Sequence, residues 1–444
     1  MSLITPESVW NLQKALAAKA KGNPDYRFYS LYDKICRRDV LAFAYARCKD
    51  NGGSPGADGQ TFDQIEKQGR AEWLDGLVEE LRQKRYKPGV VKRVWIPKSD
   101  GKRRPLGVPR IRDRVVEMAT VIILEPIFEE DFPDEQYGYR PARSAHDAVG
   151  TIHRWVNQGH REVVDADLSG YFDSIPHHEL VKSVARRVSD GAVLKLIQQW
   201  LETPVEETDE RGNKTRTTVN KDTGRGTPQG APISPLLANL YMRRFILGWK
   251  KQGWEKRFDA RIVNYADDFV ILCRHSSAEA RERMQQIMTT LKLTVNETKT
   301  KVCRVPEESF DFLGYTIGRQ YSAQDGRVYI GTRPSKKRVQ RFCEAISEMT
   351  APNTENLPTE ALIQDLNQKL KGWANYFCLG AVSKAYKNVD SHVRYRLRQW
   401  LRGKHKIQGT GKRLYRDQYL YENLRLVRLE MRTQNLPWAK AAQY

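Results

Sequence analysis

The chain has 444 residues, and its 75 Lys and Arg against 54 Asp and Glu give a formal net charge of +21. This length allows two or three domains with cores of their own, and the positive charge indicates a polyanionic partner, either nucleic acid or an anionic membrane surface. No stretch has the length of a membrane span or the pattern of a signal peptide, so we expect a cytoplasmic protein with no membrane partner. The six cysteines are too widely spaced for a zinc site or a disulfide framework, which predicts reduced thiols.

The first half of the chain combines helical and strand patterns. The first hundred residues contain helical stretches and a Gly-rich break over residues 51–59. Apolar and basic residues alternate over residues 90–96, which predicts a strand, a turn at residues 97–101 and a returning strand. Residues 111–130 have apolar positions at helical spacing, and a short β-branched strand over residues 161–166 leads into Asp167.

The second half continues with helices and short strands. Residues 180–201 have a helical pattern, and the polar segment 205–222 has a turn signal at Arg211-Gly212-Asn213 that predicts an exposed hairpin. We expect another helix over residues 278–291 and a short strand over residues 310–317. Because strands and helices alternate without a strict repeat, the sequence favours an α+β fold over an α/β barrel.

Beyond about residue 330 the strand patterns fade and the chain becomes helical and more basic. Residues 331–444 carry 22 Lys and Arg against 9 Asp and Glu. We expect a domain boundary near Arg333-Pro334-Ser335, and we expect Trp373 and Trp400 to pack in a core. Within this region residues 393–402 interleave aromatic side chains with arginines that can pair with RNA phosphates. These predicted RNA-binding residues are Arg394, Arg396, Arg398 and Arg402.

The strongest chemical signal is the pair Asp267-Asp268, which interrupts an apolar run from Ile262 to Leu272. The flanks predict two buried strands, and a hairpin would hold both carboxylates at its tip. Two such carboxylates repel each other unless a cation neutralises them, and Mg²⁺ prefers oxygen ligands of this kind. An exposed Asp-Asp turn is the competing interpretation, and the apolar flanks argue against it.

Two further segments fit a phosphoryl-transfer site, in which carboxylates from separate parts of the chain converge on metal ions. Asp165 and Asp167 lie on the same face of the strand before residue 168, so spacing alone does not choose between them. The run Thr227-Pro228-Gln229-Gly230 fixes an irregular backbone before a helix, and it can approach a nucleotide closely. Alone, it would be read as an ordinary Pro-rich helix start.

Together these segments resemble the group II intron-encoded (maturase) family of reverse transcriptases. Tyr265-Ala266-Asp267-Asp268 resembles the family's catalytic hairpin, and Thr227-Pro228-Gln229-Gly230 resembles its substrate-binding loop. Other segments follow in family order between about residue 50 and residue 380. They are a fingers hairpin (Ile96-Pro97-Lys98 with Arg104-Pro105-Leu106-Gly107), a group II insertion (Tyr137-Gly138-Tyr139-Arg140-Pro141 with Ser144-Ala145-His146-Asp147-Ala148), a lysine motif (Asn296-Glu297-Thr298-Lys299), a primer-grip turn (Phe312-Leu313-Gly314) and a maturase signature (Lys371-Gly372-Trp373-Ala374-Asn375-Tyr376-Phe377).

The resemblance implies the catalytic residues. In the family, the metal-binding aspartate precedes an aromatic-Asp pair by five positions, and Phe172-Asp173 fits this rule for Asp167 rather than Asp165. Asp167 and Asp267 would hold two Mg²⁺ ions with help from the Leu168 carbonyl, and Asp268 would complete the acidic cluster.

The resemblance also implies the substrate-binding residues. Lys98 and Arg104 would contact the triphosphate, and Gln229 the nucleotide or template. Phe172 would exclude a 2′-hydroxyl, and Lys299 could give a proton to the leaving group. The primer grip would be Phe312, Leu313 and Gly314.

The implied fold is a right-hand polymerase. Residues 1–150 would form an N-terminal extension and fingers, residues 151–330 a palm with an antiparallel sheet, and residues 331–444 an α-helical thumb and maturase domain with a short basic tail. Many relatives continue into a metal-dependent nuclease domain, whereas this chain stops at Tyr444, so we expect no second-strand DNA cleavage. The implied partners are group II intron RNA, template RNA and DNA primer, target DNA and deoxynucleoside triphosphates.

Two alternatives remain open at this stage. One is an RNA-binding splicing cofactor without polymerase activity, although the intact acidic set argues against a decayed site. The other is a group II-like reverse transcriptase that works in antiphage defence or spacer acquisition. The leading hypothesis is an RNA-directed DNA polymerase that also binds its intron RNA to assist splicing and mobility.

Overall fold

The computed structural model of the chain describes residues 3–97, 103–209, 211–322 and 325–433. The helices are α1 (Glu7–Gly22), α2 (Tyr32–Ile35), α3 (Arg38–Asp50), α4 (Phe62–Arg82), α5 (Ile111–Glu129), α6 (Ala145–Asn157), α7 (Tyr171–Ser174), α8 (His177–Ala185), α9 (Gly191–Leu201), α10 (Val219–Thr223), α11 (Ser234–Lys251), α12 (Trp254–Arg257), α13 (Ser277–Thr290), α14 (Lys336–Met349), α15 (Thr359–Tyr376) and α16 (Ser383–Lys404). The strands are β1 (Val91–Pro97), β2 (Arg103–Val108), β3 (Glu162–Asp167), β4 (Val205–Thr208), β5 (Lys214–Thr217), β6 (Ala260–Tyr265), β7 (Asp268–Cys273), β8 (Lys301–Arg304), β9 (Phe310–Phe312), β10 (Tyr315–Tyr321) and β11 (Val328–Pro334). Short helical turns at Pro352–Thr354, Tyr419–Asn423 and Leu429–Thr433 follow α14 and α16.

The strands form three small sheets, so the fold is mixed α and β. The sheet that carries the acidic motifs has the strand order β6-β7-β3-β8, and its neighbours are all antiparallel. A second sheet has the order β2-β1-β4-β5, in which β1 and β4 are parallel, and a third has the order β11-β10-β9. Within the described residues, no helix is both long enough and apolar enough to cross a membrane.

Buried apolar side chains of the described residues form three clusters. The largest packs the N-terminal helices around α5 and reaches α11 and α13 behind the acidic sheet. The second lies between α6, the acidic sheet and the β9–β10 hairpin, and it also contains Phe377 and Leu379, which directly follow α15. The third is formed by α14, α15 and α16 and includes Trp400, which is 1% exposed. The end of α15 therefore packs against the strands that precede it.

Several predicted elements are confirmed, and two need correction. The helix predicted for residues 111–130 is α5, and the predicted polar hairpin is β4–β5. The single helix predicted for residues 180–201 is wrong, because Asp190 accepts hydrogen bonds from the Ala192 and Val193 amides and starts a separate helix, α9. The single strand predicted over residues 310–317 is a hairpin, because Leu313 and Gly314 both have positive φ and reverse the chain.

Candidate active site

The acidic motifs meet at one edge of the β6-β7-β3-β8 sheet. Asp167 ends β3 and is paired with Asp268, the first residue of β7. Ala266 and Asp267 form the two-residue loop between β6 and β7, because Tyr265 pairs with Asp268. The loop therefore carries Asp267, whereas Asp268 belongs to the strand and was wrongly placed at the hairpin tip. Antiparallel pairing brings the two sequence motifs together.

The hairpin loop is held from two sides. Ala266 has a φ of 59°, a conformation that costs free energy for a residue with a side chain. The Asn264 side chain compensates by donating a hydrogen bond to the Ala266 carbonyl at 2.8 Å. On the other side, a Cβ atom on Gly138 would lie 2.5 Å from the Ala266 nitrogen, so only glycine allows this approach. The position of Asp267 is thus fixed by backbone contacts.

Asp167 is bound by the lysine motif. Lys299 forms an ion pair with it, with 3.0 Å between Nζ and Oδ2, and Asn296 donates to the same oxygen at 3.1 Å. The backbone N–H of Asn296 also donates a hydrogen bond to the backbone carbonyl of Asp167, at 2.8 Å. Asn296 was not among the predicted site residues, although its position in the lysine motif was a usable signal. One carboxylate oxygen of Asp167 therefore accepts two hydrogen bonds, one of them from the positively charged Lys299 side chain.

The electrostatics of the site favour a cation. Burial, followed by the neighbouring charges of Asp267 and Asp167, raises the pKa of Asp268 to about 6. Burial also raises the pKa of Asp165 to about 7, and Asp268 contributes. Asp268 is open to solvent through the cleft, but protein walls surround it, so hydration does not fully offset the repulsion between the acids.

A cleft of about 1400 Å³ lies over these acids. Most predicted substrate residues line it, whereas Asp165 does not. The cleft-lining members of the predicted set are Arg104, Asp167, Leu168, Phe172, Gln229, Asp267, Asp268, Lys299 and Leu313. Lys98, the other predicted triphosphate ligand, lies outside the described residues.

The loop that contains Gln229 closes one wall of the cleft. The Thr227 amide donates to the Phe172 carbonyl at 2.7 Å, and the Gly107 amide donates to the Gln229 carbonyl at 2.6 Å. A Cβ atom on Gly230 would lie 2.6 Å from the Gly107 carbonyl oxygen. The Gln229 side chain donates to Asp173 Oδ2 at 3.0 Å. The loop therefore joins the β1–β2 hairpin to the segment that carries Phe172.

Tyr139 is a site residue that the sequence reasoning missed. Its side chain lines the cleft and meets the Phe172 ring edge-on, with 6.4 Å between the ring centroids. Its φ of 57° turns the chain directly after Gly138. Its signal was the motif Tyr137-Gly138-Tyr139-Arg140-Pro141, for which the family resemblance implied an insertion but no contact with the substrate.

The donor set fits a hard divalent cation. Within the described part of the chain, no three His, Cys, Asp or Glu side chains are grouped closely enough to form a complete ligand set. Carboxylate oxygens of Asp167, Asp267 and Asp268 nevertheless border the same cleft, as does Leu168. Oxygen donors in this number suit Mg²⁺, which retains several waters when a protein binds it. In this structure the Lys299 ammonium group lies against Asp167, where it supplies positive charge.

Comparisons with known proteins agree with this geometry. Residues 96–317, half of the chain, match the family described as "Reverse transcriptase (RNA-dependent DNA polymerase)", and residues 339–420 match "Group II intron, maturase-specific domain". The chain belongs to the reverse transcriptases that carry a group II intron maturase domain.

Two curated relatives of this reverse transcriptase are about one-third identical to it. The protein YkfC of Escherichia coli is 32% identical over 363 residues, which cover 73% of this chain and 92% of YkfC. The group II intron-encoded protein LtrA of Lactococcus lactis is 33% identical over 371 residues, which cover 68% of this chain and 59% of LtrA. Among solved structures, a chain of a "Partial Cas6-RT-Cas1--Cas2 complex" aligns with a TM-score of 0.35 and 24% identity, over 59% of this chain and 41% of that one.

In the maturase region of this reverse transcriptase, the arginines predicted to bind RNA have partners inside the protein. Arg394 and Arg398 both pair with Asp417, and Arg398 also donates to the Tyr415 carbonyl at 2.8 Å. Arg396 donates to the carbonyls of Ser347 and Thr350, and Arg402 donates to the Gly409 carbonyl. The contacts of Arg394, Arg398 and Arg402 hold the segment after α16 against that helix, whereas Arg396 binds the end of α14. RNA contact by these four side chains stays a prediction.

Proposed function

We propose that this reverse transcriptase is an RNA-directed DNA polymerase that copies an RNA template from a DNA primer and also binds group II intron RNA to assist splicing. The observation that carries the polymerase proposal is the pairing of Asp167 with Asp268 beneath a cleft large enough for a nucleotide and the primer end. In this proposal residues 1–150 are the N-terminal extension and fingers, residues 151–330 the palm, and residues 331–444 the thumb and maturase domain.

Each residue of the cleft has a proposed task. Asp167 and Asp267 would hold two Mg²⁺ ions, which would supply the positive charge needed to activate the primer 3′-hydroxyl and to balance the triphosphate. Arg104, together with Lys98, would bind phosphate oxygens of the incoming deoxynucleotide through charge-assisted hydrogen bonds. Phe172, with Tyr139 against its edge, would form the wall that rejects a 2′-hydroxyl. Gln229 would contact the nucleotide or template from the loop that closes the cleft.

Lys299 has two proposed tasks. It would neutralise Asp167 before metal arrives and then donate a proton to the leaving group. Both tasks follow from the position of the Lys299 ammonium group. It lies 3.0 Å from Asp167 Oδ2, and Lys299 lines the cleft.

The RNA-binding surface of the maturase region would lie on a basic loop, residues 405–416, that follows α16. This loop contains no Asp or Glu, and its cations are exposed. These cations are Lys406, Lys412, Arg413 and Arg416. None of them forms an ion pair with another described residue, whereas Arg394 and Arg398 do. Unpaired cations keep their full attraction for phosphates, whereas Arg394 and Arg398 of α16 share theirs with Asp417. The helix arginines would therefore support the loop, and the loop would contact the intron RNA.

The cellular setting follows from the same proposal. Intron RNA, template RNA, target DNA and deoxynucleoside triphosphates are the partners, and the chain would work in the cytoplasm, at the nucleoid during integration.

Primer extension tests the polymerase proposal. The wild-type chain is expected to extend a DNA primer on an RNA template with Mg²⁺, and Asp267→Asn is expected to abolish extension. Asp165→Asn is the matched control, because this neighbouring acid does not line the cleft. The Asp165→Asn variant should keep most of the wild-type primer extension. An inactive wild-type chain that still binds intron RNA would favour a splicing cofactor, and full activity in Asp267→Asn would contradict the catalytic assignment.

A further inference from the structure

The turn between β9 and β10 presents a strained backbone to the cleft. Leu313 has a φ of 50° and Gly314 a φ of 86°, and Phe312 and Tyr315 pair on either side of them. Positive φ at both loop residues is the geometry of a tight two-residue hairpin. For Leu313 this conformation is unfavourable, and its side chain lines the cleft that holds the acids. Contacts from outside the hairpin must therefore stabilise it.

Those contacts come from the region after residue 330. The Tyr376 hydroxyl, at the end of α15, donates a hydrogen bond to the Leu313 carbonyl at 2.8 Å. The Ser335 amide donates to the Gly314 carbonyl at 2.9 Å. A Cβ atom on Gly314 would lie 3.3 Å from the Phe377 ring, so the turn is enclosed as well as hydrogen-bonded.

Tyr376 is itself fixed at its backbone. Its carbonyl lies 2.6 Å from the His146 Nε2 atom near the start of α6, and the Tyr315 hydroxyl donates to the same carbonyl. The rings of Tyr376 and Tyr315 are 6.0 Å apart. One tyrosine therefore connects the helical C-terminal region, α6 and the turn at the cleft.

We propose that Tyr376 is a positioning residue for the primer strand: its hydroxyl holds the Leu313 carbonyl so that the turn guides the primer end towards Asp167 and Asp267. This inference rests on the proposed polymerase function and adds a residue from the maturase region to the polymerase site.

Tyr386 offers a matched control. It is fully buried on α16, and its hydroxyl donates to the carbonyls of Ala374 and Phe377, each at 3.1 Å. Tyr386→Phe removes a hydroxyl that binds the same end of α15 but makes no contact with Leu313. Tyr376→Phe removes only the bond to the turn and keeps the ring.

The experiment measures three quantities for the full chain and both variants, with oligo(dT) on poly(rA) as primer and template. These are the dissociation constant of the primer–template, the KM for dTTP and the thermal unfolding midpoint. Loss of one hydrogen bond that positions the primer is expected to weaken primer–template binding about five- to tenfold in Tyr376→Phe. The KM for dTTP should stay within about twofold, and Tyr386→Phe should change neither binding quantity.

The outcomes separate this inference from the proposed function. If the wild type extends the primer and Tyr376→Phe binds primer–template as tightly as Tyr386→Phe does, the positioning role is overturned. An equal rise in the KM for dTTP would also overturn it, since that indicates general damage to the site. A wild-type chain that extends no primer would overturn the polymerase proposal and this role together.

Discussion

Asp167 and Asp268 lie directly opposite each other in the antiparallel pair β3–β7. Lys299 reaches Asp167 from the segment after α13, and no cation is paired in the same way with Asp268 among the described residues. The two acids thus differ: one is neutralised by the protein, while burial and its neighbours raise the pKa of the other. Removing the Lys299 charge should therefore change how tightly the site binds a divalent cation.

Lys299→Gln should bind Mn²⁺, a probe for Mg²⁺, more tightly than the wild type, because no ammonium group has to leave Asp167. An exposed ion pair contributes up to about 1 kcal/mol, so we expect a gain of up to about fivefold by isothermal titration calorimetry. Lys301→Gln is the control, since Lys301 is also exposed and lies opposite Asp165. Equal tightening in both variants would mean that the charge change alone, rather than the Asp167 contact, is responsible.

Phe172→Ala should reduce discrimination between deoxynucleotides and ribonucleotides. Removing the ring opens the wall against the 2′-hydroxyl, and the ratio of kcat/KM for dTTP to that for UTP should fall by about tenfold or more. The neighbouring variant Tyr171→Phe loses only a buried hydrogen bond to the Ala238 carbonyl and should keep the wild-type ratio. Unchanged discrimination in Phe172→Ala would remove this residue from the sugar site.

Gly138→Ala should destabilise the protein and disturb the Asp267 loop. The new methyl group would lie 2.5 Å from the Ala266 nitrogen, and the backbone would have to move, at a cost of about 1–3 kcal/mol. Gly372→Ala on α15 meets no atom within 4 Å and should stabilise the helix by about 0.5–1 kcal/mol. Urea unfolding and primer extension measure both variants. A stable and fully active Gly138→Ala would show that the loop tolerates the displacement.

Neutralising the basic loop should weaken RNA binding without unfolding the protein. For the triple variant Lys412→Gln, Arg413→Gln and Arg416→Gln, we expect weaker binding to a labelled group II intron RNA. The slope of log K against log salt concentration should fall by about 2 to 3, as three phosphate contacts would contribute. Fluorescence anisotropy across a salt series measures this slope.

Two comparisons complete that test. The variant Lys67→Gln, Lys87→Gln and Lys195→Gln removes the same number of exposed charges elsewhere and should leave the slope unchanged. Arg398→Gln breaks contacts to Tyr415 and Asp417 and should mainly lower the thermal unfolding midpoint. If Arg398→Gln lowered the salt slope while its midpoint stayed at the wild-type value, the helix rather than the loop would contact RNA.

Glu117 should make the protein less stable as pH rises. Burial, followed by the charge of Asp113, raises the pKa of Glu117 well above its usual range. Below the unfolded-state pKa both states bind the proton, whereas at higher pH the folded state alone keeps it, so stability falls as pH rises towards the folded-state pKa. Glu117→Gln removes this titration and should flatten the decline of the unfolding midpoint between about pH 5 and pH 8. Parallel declines in wild type and variant would contradict the assignment.

The sequence by itself determined the order of the elements and the identity of the acidic motifs, because both are written in short-range patterns. Apolar periodicity gave α5, and β-branched runs gave β3, β6 and β7. Apolar periodicity runs on through Asp190, so the break there was missed although its cap is local: Asp190 accepts hydrogen bonds from the Ala192 and Val193 amides. The strand pattern over residues 310–317 also missed the β9–β10 turn, because Leu313 is an unusual residue at positive φ.

Only the tertiary structure decided which side chains meet. Strand spacing left Asp165 and Asp167 equivalent, and the structure has Asp167, which the family resemblance selects, at the cleft. The structure paired Arg394 and Arg398 with Asp417. It also brought Tyr376 to Leu313 across 63 positions of the chain. The physical reason is that charge and hydrogen-bonding capacity are properties of a residue, whereas the partner that uses them is set by packing between distant segments.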